Sequence, residues 1–316
     1  MDFDANLKER SEGMISASID IGTNTVLLLV AEISDGKIYP LEEKQRIPRL
    51  GKGVDKAKNL HPDSIQRVLN YLKEYKNYLD DNYPGVSSQT IVAATSAVRD
   101  ASNRDDFMEA VEKETGWEIR LLSGSEEAET TYKGALSVLE DRSEKGNLIL
   151  DIGGGSSELA FGKGYDLKSA VSIDMGSVRF TERFFENDPP TSQQIHQAQS
   201  EIRSLLTDQE IPAGEFDLIG VAGTITSIAG IELGLDDYDV DRLNQFPLKK
   251  VAVEKFIEEF SKTSSKEIEK KYPRFLKGRG EVVLAGILIL NEVMQWCGRD
   301  SIITSTGGIR HGILLA

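Results

Sequence analysis

The sequence predicts an α/β protein built as two domains of similar plan around a cleft. Three observations carry this. The chain has 316 residues, too many for one small domain and enough for two of about 130 to 180 residues each. Apolar strand-like runs alternate with helical periodicity, the pattern of sheets covered by helices. One local pattern also occurs twice: an apolar run ending in Asp-Ile-Gly, a hydroxyl-bearing loop, a returning apolar run and a glycine turn. Asp20 leads the first copy and Asp151 the second.

Taken in order, Ile15–Ile21 and Val26–Ile33 read as paired strands, and Ser34, Asp35 and Gly36 turn the chain into a third at Lys37–Leu41. Pro62–Leu79 is a helix, because Pro62 suits a first turn and Ile65, Val68, Leu69, Leu72, Tyr75 and Leu79 trace one face. Thr90–Ala94 is a short buried strand, Asp105–Glu114 a helix closed by Gly116, and Trp117–Leu122 another strand. Glu126–Glu140 is helical. The second copy then runs as strands Leu148–Gly153 and Ser157–Phe161, turning through Gly162, Lys163 and Gly164. Helices follow at Thr191–Leu206, Val251–Phe260, Lys266–Lys271 and Val282–Trp296, with strands at Asp217–Val221 and Ser301–Ser305 and a short final helix after Gly307 and Gly308. The expected domains are 14–124 and 125–316, the last helix packing back near the first domain.

Composition narrows the function classes. With 39% hydrophobic residues, each half can bury a core. Lys+Arg total 37 against Asp+Glu 52, a formal net charge of −15, which argues against general nucleic-acid binding. A local pocket of opposite sign can still take an anionic substrate. The single cysteine, Cys297, excludes an internal disulfide, a zinc–cysteine cluster and an iron–sulfur cluster. In its apolar run it is expected to be a small buried hydrophobe. No run of about 18 apolar residues is present, so no membrane span is expected. Residues 1–13 are polar, without an apolar signal segment, and are expected to form an extension of a cytoplasmic protein.

The chemistry is expected at four glycine loops that follow apolar runs: Asp20–Thr25, Asp151–Ser157, Gly220–Thr224 and Ser305–Gly308. Glycine lets backbone amides approach phosphate oxygens, and hydroxyls add donors. None carries the lysine-containing P-loop pattern or a dinucleotide fingerprint. An aspartate at a strand end beside such a loop is a natural Mg²⁺ anchor, so Asp20 and Asp151 are candidate metal ligands facing one another across the cleft. Glu126 and Glu127 open a helix that Ser125 is expected to cap, where acidic residues also suit the helix dipole. Adjacent helix positions point in different directions, so one of the pair is expected to face the cleft as a base.

These stretches resemble the exopolyphosphatase and guanosine-pentaphosphate phosphohydrolase (Ppx/GppA) family, within the acetate/sugar kinase, Hsp70 and actin group. The resemblance runs through Ile19–Thr25, Ala94–Arg99, Ser123–Ala128, Leu150–Leu159, Gly220–Thr224 and Gly307–Gly312, nearly the whole chain in family order. It implies two actin-like, ribonuclease H-like domains with a central cleft. It also implies Glu127 as catalytic base with Glu126 beside it, and Asp151 and Glu158 as organisers of metal and water. Phosphate contacts are implied at Thr23, Asn24, Thr25, Arg99, Gly153, Gly154, Gly155, Ser156, Gly223, Thr224 and Arg279. The metal is expected to be Mg²⁺, with Mn²⁺ as the alternative, held by Asp20, Asp151 and Glu158.

The sequence departs from the family pattern in two places. Thr23-Asn24-Thr25 replaces Ser-Asn-Ser, keeping the donors, and Arg310-His311-Gly312 replaces Arg-Glu-Gly, so His311 is expected to be structural or on the surface. Longer members carry a further C-terminal helical module, and this sequence is expected to hold the two-domain core without it. Lys249–Arg279 carries ten Lys/Arg against five Asp/Glu, read either as solvated helix faces or as attraction for a phosphate chain. The leading expectation is Mg²⁺-dependent hydrolysis of a terminal phosphoanhydride in inorganic polyphosphate. The alternatives are conversion of guanosine pentaphosphate to tetraphosphate, an ATP-binding actin-like regulator without this activity, and, ranked last, a sugar kinase. Domain closure around substrate and a homodimer are also expected.

Overall fold

The structure is a computed structural model that describes residues 13–34, 37–140 and 144–315. Residues 1–12 of the expected extension, and the Asp35–Gly36 turn, lie outside the described residues. The first sheet holds β1 (Met14–Ile21), β2 (Val26–Ser34), β3 (Lys37–Arg46), β4 (Ile91–Ala94) and β5 (Ile119–Leu121) in the order β3-β2-β1-β4-β5. The first three strands are antiparallel, while β4 runs parallel to β1 and β5 parallel to β4.

The second sheet repeats this plan. Its strands are β6 (Gly146–Ile152), β7 (Ser157–Lys163), β8 (Asp166–Ile173), β9 (Phe216–Val221), β10 (Pro247–Lys249) and β11 (Ser301–Thr304), in the order β10-β11-β9-β6-β7-β8. Here β6 takes the place of β1, with an antiparallel meander on one side and parallel β9 and β11 on the other. The extra strand β10 pairs antiparallel with β11 at the edge. Asp20 pairs with Leu27 and Ala93, and Asp151 with Glu158 and Val221, so the two aspartates hold equivalent places. Even the loop closures match: Gly22 N–H donates to Thr25 O at 2.9 Å and Gly153 N–H to Ser156 O at 3.0 Å.

Strand alternation divides the second sheet between two cores. Leu148, Leu150 and Ile152 face a core centred on the helix Gly280–Trp296, whose apolar residues run around its whole circumference. Ile149 faces the opposite side, where the helix Gly124–Ser137 packs through Ala128, Tyr132 and Ala135. Asp151 shares that side, because successive strand residues alternate. Cys297 is buried, as expected. Trp117 is also in a core, and its Nε1–H donates to Ser87 O at 2.7 Å.

The departures from the predicted elements have local causes. The helix after β5 starts at Gly124, because Ser123 and not Ser125 caps it: Ser123 Oγ accepts from Glu126 N–H, and the Glu126 carboxylate reaches back to Ser123 N–H. Strand β3 runs on to Arg46 as an edge strand rich in charge, which the apolar pattern did not reach. Strand β8 lacks clear apolar alternation, and the helix Ala222–Glu232 is buried on all sides and built from small and β-branched residues.

The C-terminal helix Ile309–Ile313 ties the two sheets together. Ile309 and Ile313 pack with Ala93 and Leu122, and Ser18 Oγ–H donates to Arg310 O at 2.6 Å. Its entry turn lies backbone to backbone against the Gly124–Ser137 helix: a Cβ at Gly134 would sit 2.0 Å from Gly308 O. Neither backbone can yield cheaply, so Gly134→Ala is expected to cost about 1–3 kcal/mol, the usual scale of overpacking. Denaturant titration checks this, and an unchanged midpoint would mean that the turn can shift aside.

Candidate active site

The facing ends of β1 and β6 open onto a cleft of about 400 Å³ lined from both sheets. Its walls include Thr23, Asn24 and Thr25 of the first loop, Gly153 and Gly154 of the second, and Gly223 and Thr224 of the third. The first two loops touch closely, since a Cβ at Gly154 would meet Thr23 Cβ at 2.7 Å. Thr23 Oγ1 and Ser96 Oγ lie 3.0 Å apart in a buried hydrogen bond.

Glu127 stands on the cleft wall and is 4% exposed. The capping box explains why this glutamate is the one inside. Glu126 is spent on Ser123 at the helix start, so the next position turns toward the sheet with Ala128 and Thr131. Glu127 Oε2 accepts from an Arg99 guanidinium nitrogen at 2.9 Å. One helical turn on, Thr131 Oγ1–H donates to Asp151 Oδ2 at 3.3 Å. Glu158 lies directly across the strand pair from Asp151 and accepts from Ser172 Oγ–H at 2.6 Å.

These carboxyls are electrostatically stressed. Burial, reinforced by the Glu127 and Asp151 charges, pushes Asp20 up to about 7. Burial and then Glu127 push Asp151 up to about 7. Burial also raises Glu127, opposed by the Arg99 guanidinium, and raises Glu158 well above the carboxylate range. Asp20 Oδ1 is buried without a hydrogen-bond partner. Crowded carboxylates with a bare acceptor suit a hard divalent cation. Mg²⁺ needs only one or two protein carboxylates besides water and phosphate oxygens, so the donor set fits that ion even though no close cluster of three or more His, Cys, Asp or Glu exists among the described residues.

Several predicted residues are placed differently. Glu126 is exposed and turned into the capping box, with Arg120 at 3.6 Å, so it is not in the cleft. Arg99 stands behind Glu127, bound to it and to Leu122 O, and does not line the cleft. Gly155 packs against Ser96, Ser156 is 1% exposed, and Glu158 is buried beside Asp151 across the strand pair, so none of the three forms the cleft wall. Arg279 does line it, its guanidinium lying on Gly223, where an added Cβ would come within 1.9 Å. Much of the basic excess around it is consumed in local pairs such as Lys262–Glu258 and Lys271–Glu259.

Three cleft residues escaped the sequence reading. Arg310 donates to Glu43 at 2.7 Å, Tyr238 lines the cleft within reach of the Arg310 and Arg279 charges, and Lys44 lies 3.7 Å over the Tyr78 ring. The Gly307–Gly312 stretch was the available signal for Arg310, while Lys44 falls beyond the expected end of β3. His311 is fully buried, with burial holding its imidazole well below its usual range, so it is structural.

Two sheets of one plan, with phosphate-type loops at their facing strand ends, define a two-lobed protein of the actin and Hsp70 class. Within that class the chain belongs to the Ppx/GppA phosphatase family, which it matches over residues 29–316. It is 34% identical over 312 residues to the bifunctional 3-dehydroquinate synthase/phosphatase of Fusobacterium nucleatum, covering 95% of this chain and 46% of that protein. The chain therefore spans about half of that relative. It is 28% identical over 317 residues to exopolyphosphatase 2 of Mycobacterium tuberculosis, covering 95% and 97% of the two chains. A solved Ppx/GppA family member from Aquifex aeolicus superposes with a TM-score of 0.80 at 32% identity over 96% of each chain.

Proposed function

We propose that this protein is an exopolyphosphatase that releases terminal orthophosphate from inorganic polyphosphate. The observation that carries the reading is Glu127: a buried carboxylate tethered at one oxygen by Arg99, on the wall of a cleft that both Asp-Ile-Gly loops enter. Similarity to the exopolyphosphatase of Mycobacterium tuberculosis along nearly its full length supports the substrate class.

The loop residues Thr23, Asn24 and Thr25, with Gly153 and Gly154 opposite, bind and orient the terminal phosphoryl group. Arg279, Gly223 and Thr224 receive phosphates further along the chain. Asp20 and Asp151 would hold Mg²⁺, which supplies positive charge to the phosphoryl oxygens. Glu127 accepts the proton of the attacking water as the water oxygen bonds to phosphorus and the bridging oxygen leaves with the shortened chain. Arg99 keeps the Glu127 carboxylate aimed, and the raised proton affinity of the buried group brings it nearer the pH at which it works. The lobes 14–124 and 125–316 close on the substrate, excluding bulk water.

Phosphate release from short and long polyphosphates, with and without Mg²⁺, tests this directly. Metal-dependent release is expected, and none from either length would count against the assignment. Guanosine pentaphosphate belongs in the same assay, because a large preference for it reverses the substrate ranking. Calorimetry that finds tight ATP binding and no polyphosphate binding would favour a regulatory module.

A further inference from the structure

We propose that Arg179 is a positioning residue that locks the two phosphate loops and Glu127 into one working arrangement. This rests on the reading of the cleft above, and the site concerned lies outside it.

Arg179 belongs to the helix Ser177–Phe184, which follows β8 and grips the second loop from behind: Ser177 N–H donates to Gly153 O and Arg179 N–H to Gly154 O. Arg179 is 5% exposed, and a buried guanidinium is tolerable only if its donors are used. All three nitrogens are used. Nε–H donates to Gly155 O at 2.5 Å, one terminal nitrogen to Asp55 at 2.5 Å, and the other to Asp100 at 2.6 Å, with Asp174 at 3.4 Å. Arg183 adds two bonds to Asp55, and Glu182 accepts from Gly53 N–H at 2.9 Å.

What matters is where the two first-lobe carboxylates sit. Asp55 follows the 49–53 turn, whose Arg49 and Gly51 N–H groups bond the carbonyls of Asn24 and Thr23. Asp100 directly follows Arg99, which holds Glu127. One guanidinium therefore bonds the second phosphate loop, the segment that braces the first, and the segment that aims the base. Three elements from distant parts of the chain share a single rigid fork, and arginine's planar geometry suits that task where lysine's point charge does not.

The test compares Arg179→Lys and the gentler Asp55→Asn with wild type, reading kcat and KM separately, thermal stability, and solution scattering. Arg179→Lys keeps the charge, but its single nitrogen cannot occupy the three separate donor positions that reach Gly155, Asp55 and Asp100. It is expected to lower kcat on the order of 10- to 100-fold, the scale of a small misplacement of reacting groups, with KM changed by less than about threefold and the scattering profile expanded. Asp55→Asn is expected to lower kcat in the same direction while remaining folded well above the assay temperature. A merely structural clasp would lower the melting temperature and leave kcat at wild-type level in both folded variants, and that result overturns the proposal. If wild type itself releases no phosphate, the reaction assignment fails and the clasp is judged by scattering alone: expansion of Arg179→Lys supports it, and superimposable profiles overturn it.

Discussion

Glu127→Gln is expected to lower turnover roughly 10²–10⁴-fold while leaving the fold and polyphosphate binding in place, the range that general-base catalysis contributes. The substitution keeps the size of the side chain and an oxygen that can still accept from Arg99, whose bond to Glu127 is 2.9 Å long, so no cavity and no orphaned guanidinium result. The ability to take a proton from water is lost, together with the charge that pushes up Asp20 and Asp151. Glu126→Gln is the matched control. Glutamine satisfies the same capping box, and position 126 is exposed at the helix start, so its turnover should stay within about threefold of wild type. Steady-state phosphate release with saturating Mg²⁺ and substrate, alongside melting curves, separates the outcomes. Near-normal turnover in Glu127→Gln ends its assignment as base, and loss of both stability and binding would make it a structural residue.

The sequence made the repeated hairpin legible because strand, loop and glycine turn are local signals. Asp20 and Asp151 could be matched from Asp-Ile-Gly alone, and they hold equivalent strand positions. Helix directions alone left Glu127 and Glu126 as alternatives, and the family resemblance implied Glu127. The deciding fact was the Ser123 cap, which consumes Glu126, and a cap two residues from its expected place is a change too small for periodicity to register. Arg99, Gly155 and Glu158 were expected at the site and stand just off the cleft wall, for a different reason. All three come from stretches that approach the site, but whether a side chain faces the ligand or supports a neighbour depends on packing from elsewhere in the chain. Arg179, Asp55 and Asp100 left no local trace, since their meeting depends entirely on how the two lobes sit together. Arg310 lies in the Gly307–Gly312 stretch that carries the family resemblance, but its place beside Glu43 depends on a contact spanning most of the chain.

Asp20→Asn is expected to abolish most activity, on the order of 10²-fold or more as charge stabilisation at the phosphoryl group is lost, and at the same time to stabilise the metal-free protein at neutral pH. The reason is the stress in the cleft. Burial and the neighbouring Glu127 and Asp151 charges hold the Asp20 carboxyl at about 7 rather than its ordinary 3.8. The folded state therefore binds this proton more tightly than the unfolded chain. Across the window from about 4 to about 7, the unfolded chain has already released it, so the contribution of Asp20 to stability falls as pH rises and stays low above the folded value. Asparagine does not titrate and removes that loss. In a chelating buffer the variant's melting temperature should exceed that of wild type at pH near 8, with the gap closing toward pH 4. Added Mg²⁺ should reverse the order, because an ion that binds only the folded wild type stabilises it by mass action, while the variant has lost a ligand. A melting difference that ignores both pH and Mg²⁺ would mean that Asp20 is not a charged member of this cluster, and the metal role would then rest on Asp151.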